Sequence, residues 1–144
     1  MQIDLQEQRI KGDIPDTLIL VEHEPVYTLG KNANRDHLLQ SRNKSIEVFN
    51  TGRGGDVTFH GPGQLVGYPI LDLRNYKKSV SWYMRRLEEL IIKVLKEFDI
   101  KGSRIKGLTG VWVNNRKIGA QGVRISRWVT CLLYTSPSPR DIPL

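Results

Sequence analysis

Residues 53–64 form a glycine-rich segment whose residue types and spacing suit chemistry. The segment reads Arg-Gly-Gly-Asp-Val-Thr-Phe-His-Gly-Pro-Gly-Gln. Paired glycines let backbone N–H groups approach an anion or a polarised carbonyl closely, as a fixed set of donors. Arg53 adds a permanent cation, and His60 adds a group that titrates near neutrality. The pattern predicts a polar binding site, although a glycine-rich turn with a hydrogen-bonded histidine explains the composition equally well.

The elements that must position this segment are mostly short and β-prone. Apolar or alternating runs predict strands at residues 17–21, 26–30, 46–49, 57–59, 64–73, 111–113, 117–118 and 123–125, the last of which 128–129 can continue. Asn114 and Asn115 separate two of these runs, and because asparagine tolerates a positive φ they predict a hairpin turn. Residues 32–44 are polar and predict a loop.

Residues 79–100 predict one long amphipathic helix. Seven apolar residues fall at helical spacing on one broad face: Tyr83, Leu87, Leu90, Ile91, Val94, Leu95 and Phe98. Ser79 or Ser81 can cap its start, Glu89 and Lys93 form a pair one turn apart, and Gly102 is placed for a left-handed stop. The chain is therefore expected to be an α+β protein, with a mixed, largely antiparallel sheet packed by this helix.

Length and composition exclude several classes of protein. The 144 residues allow about one domain. No apolar run approaches the ~18 residues of a membrane span, and the acidic start is not a secretory signal. The single cysteine, Cys131, excludes an internal disulfide and a cysteine-based zinc site. A single cysteine fits a reducing compartment.

The positive charge is concentrated in one stretch. The net charge is +7, and residues 74–106 hold ten basic and four acidic residues, so they carry +6. Such a field favours an acidic partner, although a solvated helix face explains it equally well. No groove-reading or stacking motif accompanies the charge, so a nucleic-acid partner is not expected.

Several motifs, taken together, resemble the octanoyltransferases of lipoate biosynthesis. The glycine-rich segment continues as Leu-Val-Gly-Tyr-Pro-Ile-Leu-Asp-Leu over residues 65–73, as in that family. Three other motifs agree with that family in order and spacing: Glu-His-Glu-Pro-Val-Tyr-Thr-Leu-Gly at 22–30, Gly-Leu-Thr-Gly-Val-Trp-Val at 107–113 and Arg-Lys-Ile-Gly-Ala-Gln-Gly-Val-Arg at 116–124. The resemblance covers residues 5–129, and four ordered motifs are far more specific than one glycine-rich loop.

The resemblance implies an enzyme that moves an octanoyl group from acyl carrier protein to a lysine of a lipoyl domain, without a cofactor or metal. The expected fold is the catalytic core shared by lipoate ligases and biotin ligases. The acceptors implied are the lipoyl domains of 2-oxoacid dehydrogenases and the glycine cleavage H protein. Since acyl carrier proteins are acidic, the basic stretch gains a candidate purpose. The resemblance implies a cytoplasmic location, or a mitochondrial one if the source is eukaryotic, and no membrane partner is expected.

The resemblance also implies roles for particular residues. In the family a cysteine takes the acyl group as a thioester, and the lysine matching Lys117 lowers the pKa of that thiol, because an ammonium group favours the reactive thiolate. Without the resemblance, Lys117 is a hairpin lysine facing solvent. The substrate-binding residues implied are Arg53, Gly54, Gly55, Asp56, Val57, Thr58, Phe59, His60, Ala120, Gln121 and Gly122. We interpret His23, a lone histidine near a proline, as structural.

The resemblance fails after Thr130. The family continues into a His-Gly pair, further strands and a Pro-Cys-Gly that holds the nucleophile, whereas Cys131 falls at the wrong place in this order. We expect residues 1–129 to be a fragment of the catalytic domain, entering partway through its first helix. Residues 130–144 resemble translated cloning-adapter sequence and are expected to be a non-native tail. The chain itself is expected to be inactive.

Two alternatives remain open at this stage. The first is an ATP-dependent lipoate or biotin ligase of the same fold, although such enzymes need further basic residues to hold an acyl-adenylate phosphate. The second is a non-catalytic module that binds carrier protein through its basic helix.

Overall fold

A computed structural model describes residues 2–39, 43–51 and 53–131, together with the backbone of 134–135. Two helices, α1 (Gln2–Lys11) and α2 (Val80–Glu97), accompany ten strands: β1 (Thr17–Glu22), β2 (Val26–Leu29), β3 (Glu47–Asn50), β4 (Val57–His60), β5 (Leu65–Ile70), β6 (Val111–Val113), β7 (Arg116–Gln121), β8 (Arg124–Ser126), β9 (Val129–Cys131) and β10 (Tyr134–Thr135). The predicted strands are therefore present, within a few residues of their expected bounds. Two short 3₁₀ turns, Arg35–His37 and Leu73–Asn75, interrupt the loops.

The main sheet has five antiparallel strands in the order β1-β5-β10-β7-β6. A second sheet has the order β3-β2-β4, in which β2 runs parallel to β3 and antiparallel to β4. Strands β8 and β9 form a separate hairpin. The predicted α+β fold with a mixed, largely antiparallel sheet is thus confirmed, and the turn between β4 and β5 carries the chain from one sheet to the other.

Helix α1 lies where the resemblance places a first helix. It packs against β9 and β5. The buried Gln6 amide donates from Nε2 to the Val129 carbonyl at 2.7 Å and ties the helix to β9. Among the described residues, neither helix has the length and apolar character needed to cross a membrane.

Helix α2 begins as predicted, because the Ser79 hydroxyl accepts the N–H of Trp82 at 3.3 Å. Its buried stripe consists of Tyr83, Leu87, Glu88, Ile91 and Leu95. Ile91 and Leu95 pack with Val111 and Ile118 of the β6–β7 hairpin. The Glu89–Lys93 pair is also present, at 3.4 Å.

Two expectations about α2 were wrong. Leu90, Val94 and Phe98 are 54%, 48% and 71% exposed, because the sheet covers a narrower stripe of the helix than the apolar pattern suggests. The left-handed residue after the helix is Asp99, with φ 57°, and not Gly102. Gly102 instead allows close packing, since a Cβ there would lie 2.8 Å from Leu95 Cδ1.

The Asn114–Asn115 turn is confirmed. The two residues have φ values of 49° and 63°, which is the left-handed pair that a two-residue hairpin between β6 and β7 requires. Arg127 and Trp128 take the same conformation between β8 and β9, with φ values of 49° and 66°.

Part of the expected tail belongs to the fold. Thr130 and Cys131 are fully buried in β9. The Thr130 hydroxyl donates to the Pro69 carbonyl at 2.7 Å and accepts the Leu71 N–H at 2.9 Å, so this strand is fixed to the end of β5. The backbone of β10 lies between β5 and β7. Residues 132–133 and 136–144 of the expected tail lie outside the described residues, as do 40–42 of the predicted loop.

Candidate active site

A cavity of about 500 Å³ lies between the glycine-rich segment and β7. One side, which we call the glycine wall, consists of Arg53, Gly54, Gly55, Asp56, Val57, Thr58 and Phe59. The other side, which we call the hairpin wall, consists of Lys117, Ala120, Gln121 and Gly122. The structure therefore brings every residue of the expected site except His60 around one cavity.

A buried guanidinium group holds the glycine wall in place. Arg53 is only 3% exposed, and its Nη2 donates to the Thr28 carbonyl at 2.9 Å and to Thr28 Oγ1 at 2.7 Å. Its Nη1 donates to the Gly54 carbonyl at 3.0 Å. Burial lowers the pKa of Arg53 from its ordinary value, but an arginine remains protonated in a protein. The cation thus fastens an irregular loop to strand β2.

Gly30 permits this close approach. A Cβ at Gly30 would lie 2.1 Å from the Gly55 carbonyl oxygen and 2.8 Å from Arg53 Nη1. The Gly30 N–H donates to the Asp56 carbonyl at 3.2 Å, and the Lys31 N–H donates to the Arg53 carbonyl at 2.9 Å. The glycine-rich segment therefore rests directly on the backbone that follows β2, and any side chain at Gly30 would separate the two.

The Asp56 side chain ties the outer edge of the glycine wall to the Asn34–His37 loop. Its Oδ1 accepts the Asn34 N–H at 3.0 Å, and its Oδ2 contacts His37 Nδ1. The hydrogen bond from His37 holds the pKa of the Asp56 carboxyl below its ordinary value. The carboxylate is charged and committed to the loop, so we assign it a structural part in the wall.

Lys117 crosses the backbone of Gly110 to reach the face of Trp112. Its Nζ lies 5.1 Å from the Trp112 ring centroid, within the range of a cation–π contact. Gly110 has φ 138°, and a Cβ there would lie 2.7 Å from the Gly119 carbonyl oxygen and 3.2 Å from Lys117 Cε. The lysine therefore runs through a slot that only a glycine at position 110 leaves open.

A buried carboxylate fixes that slot. Glu88 of α2 is 1% exposed, and its Oε1 accepts the Gly110 N–H at 3.1 Å. Its Oε2 accepts from Arg85 Nη1 at 2.9 Å and from Arg104 Nε at 2.8 Å. Burial alone would raise the pKa of Glu88, but these three donors outweigh it and lower the pKa. The charged carboxylate joins α2 to the loop that carries Gly110.

His60 faces a second, smaller cavity of about 290 Å³. The ring is 2% exposed, because its Nδ1 meets Gln64 Oε1 at 2.6 Å and its Nε2 lies 3.5 Å from Thr28 Oγ1. These contacts turn it away from the glycine wall. Burial lowers the pKa of His60, and the positive potential from His23 and Arg53 lowers it further. The ring is therefore neutral. It does not line the first cavity, but Thr28 Oγ1 connects it to Arg53 of the glycine wall.

His23 belongs to the same second cavity. Its Nε2 lies 2.6 Å from the hydroxyl of Tyr68, and its ring centroid lies 5.7 Å from that of His60. This hydrogen-bonded position agrees with the structural interpretation of His23. The remaining lining residues of the second cavity are Gln2, Val26, Thr28, Phe49 and Thr51.

Polar atoms without partners point to the first cavity as the place where a ligand would bind. Among the described residues, Arg53 Nε, the Tyr83 hydroxyl and both amide atoms of Gln121 are buried without a hydrogen-bond partner, and of these residues Arg53 and Gln121 line the first cavity. Buried polar groups are normally paired, and such exceptions are frequent at functional sites. Arg53 and Gln121 stand on opposite walls of the cavity.

A family comparison agrees with this geometry. Residues 1–137 match the family described as the lipoyl protein ligase A/B catalytic domain. The chain belongs to this family. The match includes the glycine wall, the hairpin wall and Lys117, so the resemblance drawn from the motifs is confirmed at the level of the family.

Several proteins similar to this chain are named octanoyltransferases. The chain is 56% identical to the octanoyltransferase of Gloeobacter violaceus over 118 residues, covering 82% of the chain and 53% of the relative. It is 50% identical to that of Nostoc sp. over 131 residues, covering 90% and 59%. The chain thus spans little more than half the length of these relatives.

Solved structures show the same fold. The chain matches the structure of a bipartite lipoate protein ligase from Thermoplasma acidophilum, with a TM-score of 0.67 at 14% identity. That structure was described together with the E2 lipoyl domain of the same archaeal lipoylation system. The match covers 94% of this chain and 56% of that one. The expected lipoate ligase-like core is therefore confirmed, and at this identity the likeness concerns the fold alone.

Sequence reasoning missed the residues that support the two walls of this ligase A/B site. Thr28 belongs to the 22–30 motif, but nothing in that motif marks its hydroxyl as a partner of Arg53, and Glu88 lies in a row of helix charges that the sequence suggests is solvated. The signal available was an acidic residue at helical spacing between Leu87 and Ile91, on the side of the helix expected to be apolar. A charge at such a position must be paired if it is buried.

Proposed function

We propose that this chain is part of an enzyme that moves an octanoyl group from acyl carrier protein to a lysine of a lipoyl domain. One observation carries the proposal: Lys117 and the glycine wall border one cavity. The names of the relatives support the acyl group and the reaction. The acceptors we propose are the lipoyl domains of 2-oxoacid dehydrogenases and the glycine cleavage H protein. The location we propose is the cytoplasm, or mitochondria if the source is eukaryotic.

The proposed chemistry is two successive acyl transfers. A cysteine thiolate attacks the carbonyl carbon of the octanoyl thioester, a new C–S bond forms, and the pantetheine thiolate leaves and takes up a proton. The amine of the acceptor lysine then attacks the enzyme thioester, so the amide forms, one proton is released, and the cysteine thiolate is regenerated. The Lys117 ammonium stabilises the thiolate in both steps, because opposite charges favour the deprotonated form.

The walls of the cavity have separate tasks in this scheme. The apolar side chains of Val57, Phe59 and Ala120 suit the hydrocarbon chain, whereas the unpartnered donors of Arg53 and Gln121 suit the oxygen of the acyl group. Donors placed beforehand stabilise the charge that develops on such an oxygen. We assign substrate binding to the glycine wall and hairpin wall together, with His60 supporting the former from behind.

We propose that Cys131 is not the acyl acceptor. It is fully buried in β9, its Sγ lies 3.7 Å from Gln2 Oε1, and it is absent from the lining of the cavity. A thiol that is fully buried and does not line the cavity cannot reach a thioester bound there. We assign the thioester to a cysteine outside these 144 residues, and residues 1–129, together with the remainder of β9, to the catalytic domain.

A fusion enzyme tests the proposal. Residues 1–129 are joined to the C-terminal part of the Gloeobacter relative that follows the matched region, and octanoylation of a lipoyl domain is followed by mass spectrometry. We expect transfer from octanoyl-carrier protein without ATP. Lys117→Met should lower kcat/KM by about a hundredfold at pH 7 and move the pH profile upward, since the thiol then ionises less readily.

The same assay separates the alternatives. Transfer that requires ATP and free octanoate, with release of pyrophosphate, would establish a ligase and contradict the proposal. Binding of carrier protein without any transfer would indicate a non-catalytic module. With the 144-residue chain alone, octanoyl-carrier protein should leave the mass of Cys131 unchanged, and a stable thioester there would show that the assignment of Cys131 is wrong.

A further inference from the structure

A basic groove of about 470 Å³ lies beside the N-terminal half of helix α2. Its lining residues are Lys77, Ser79, Ser81, Trp82, Arg85, Arg86, Glu89 and Arg104. The Arg86 guanidinium lies 5.7 Å from the ring centroid of Trp82, so the groove has an aromatic floor as well as charge. It shares no lining residue with the cavity described above.

The groove has more positive charge than its own carboxylates neutralise. Glu88 is shared by Arg85 and Arg104, and Glu89 is shared by Arg86 and Lys93. Two carboxylates therefore face the three guanidinium groups of the groove, and Lys77 is its fourth basic lining residue, whereas Lys93 lies outside the groove. The side chains of Arg85 and Arg86 are 56% and 57% exposed, so their charges reach solvent.

The groove and the cavity share one partition. Arg104 of the groove donates to Glu88 Oε2 at 2.8 Å, and Glu88 Oε1 accepts the Gly110 N–H at 3.1 Å. On the far side of Gly110 lies the Lys117 side chain, whose Cε is 3.2 Å from the place of a Gly110 Cβ. Arg104, Glu88, Gly110 and Lys117 therefore form a continuous series of contacts from the groove to the cavity.

We propose that this groove docks the acidic surface of the acyl carrier protein that delivers the octanoyl thioester. The inference rests on the proposed function, and it adds the place and the residues of docking. Complementary charge guides such a partner to the groove and fixes its orientation. A carrier seated there extends its thioester arm across Gly110 towards Lys117 and the cavity.

The chemistry of the arm favours the carrier protein over the lipoyl domain at this surface. The phosphopantetheine arm of a carrier bears a phosphodiester anion, which the groove cations attract. A lipoyl domain must instead bring a lysine ammonium to the cavity, and the same cations together with Lys117 repel it. The acceptor is therefore expected to approach from another side.

Two charge reversals on one helix test the proposal. Arg86 and Lys93 both pair with Glu89, but only Arg86 lines the groove. The affinity of the 144-residue chain for a bacterial octanoyl-acyl carrier protein is measured by calorimetry at low salt. We expect Arg86→Glu and Lys77→Glu each to weaken binding about tenfold, and Lys93→Glu to weaken it less than about twofold.

Each other outcome counts against the docking site. Equal losses in Arg86→Glu and Lys93→Glu would show a non-specific effect of net charge. Losses that appear with free phosphopantetheine but not with apo-carrier protein would show that the groove binds only the phosphate. A loss of lipoyl-domain binding with unchanged carrier binding would assign the groove to the acceptor.

The docking site and the proposed function fail in different ways. If the fusion enzyme transfers octanoyl from carrier protein while Arg86→Glu and Lys77→Glu bind normally, the carrier docks elsewhere and the function stands. If the wild-type chain binds no carrier protein and the fusion transfers nothing, the proposed function itself is wrong.

Discussion

The two walls of the cavity are each held by one buried charge, and the two charges have opposite sign. Arg53 is 3% exposed and fastens the glycine wall. Glu88 is 1% exposed and fastens Gly110, next to which the Lys117 side chain of the hairpin wall runs. Arg53 donates to backbone carbonyls and to one hydroxyl. Glu88 accepts from two guanidinium groups and one N–H. At the glycine wall the buried charge donates to carbonyl groups. At the hairpin wall the buried charge accepts the N–H of Gly110, just before strand β6.

This difference predicts unequal responses to substitution and to pH. The arginine keeps its charge at every pH at which the protein is folded, so the contacts of Arg53 itself do not titrate. The Glu88 carboxylate can be protonated, and its three hydrogen bonds then weaken together. We therefore expect steric change and loss of donated hydrogen bonds to weaken the glycine wall, and loss of charge to weaken the hairpin wall.

The largest effect is expected from Gly30→Ala. The new methyl group would meet the Gly55 carbonyl oxygen at 2.1 Å, so the glycine wall must move. The free energy of unfolding should fall by about 3 kcal/mol, measured by urea denaturation. Gly54→Ala in the same wall is the control, since nothing lies within 4 Å of its Cβ position. Equal effects of the two substitutions would show that the close approach at Gly30 is unimportant.

Arg53→Met should come next. The substitution removes three donated hydrogen bonds and leaves the Thr28 and Gly54 carbonyls without them. Unfolding should become easier by roughly 2.5 kcal/mol, and amide hydrogen exchange should increase in residues 53–59. Arg35→Met, at an exposed arginine in the neighbouring 3₁₀ turn, is the matched control. A thermal melt in which the two variants coincide would contradict the role of Arg53.

Glu88→Gln should weaken the hairpin wall by about 2 kcal/mol, because Arg85 and Arg104 lose their shared anion. Glu89→Gln removes an equal charge from the next, more exposed position of α2 and should change stability by less than about 0.5 kcal/mol. Hydrogen exchange at Gly110 reports the effect directly. If the Gly110 amide is equally protected in both variants, Glu88 does not fix the slot.

The two sides of the cavity should respond in different pH ranges. Burial lowers the pKa of His60 below its ordinary value of 6.5, so the unfolded chain binds a proton that the folded chain does not, and stability falls as the pH drops through 6.5. The pKa of Glu88 is lowered, so the stability that its carboxylate contributes is lost only when the pH falls below 4.5. Between pH 7.5 and 5.5, wild type should lose about 1 kcal/mol more than His60→Asn. If the stability of wild type and of His60→Asn changed in parallel with pH, His60 would not cause the pH dependence.

The smallest effect is expected from Asn115→Gly in the β6–β7 turn. The residue has φ 63°, which glycine adopts without strain, so the hairpin should gain about 0.5 kcal/mol. Asn75→Gly, outside the hairpin, lacks this positive φ and should bring no gain. A decrease in melting temperature for Asn115→Gly would contradict the turn geometry.

Local patterns predicted the elements better than they predicted what fixes them. Alternating strands, the Ser79 cap and the Asn114–Asn115 turn depend on neighbours in sequence, and the structure has all of them. Leu90, Val94 and Phe98 were misplaced because the width of a buried stripe depends on what packs against it. The roles of Thr28 and Glu88 were missed, since the contacts that show them, to Arg53 and to the Gly110 N–H, join residues 25 and 22 positions apart along the chain. The position of His60 behind its wall likewise depends on Gln64 and Thr28.

The proposed function depends on the glycine wall and Lys117 enclosing one acyl-binding cavity. The most direct test is a titration of the assigned, isotope-labelled chain with S-octyl pantetheine, a thioether that cannot transfer its chain, followed by NMR. We predict shifts at the amides of Gly54, Gly55 and Ala120 and at the ε-CH₂ group of Lys117, all saturating together. Shifts confined to His23 and Tyr68 in the second cavity, or none at any site, would contradict the claim.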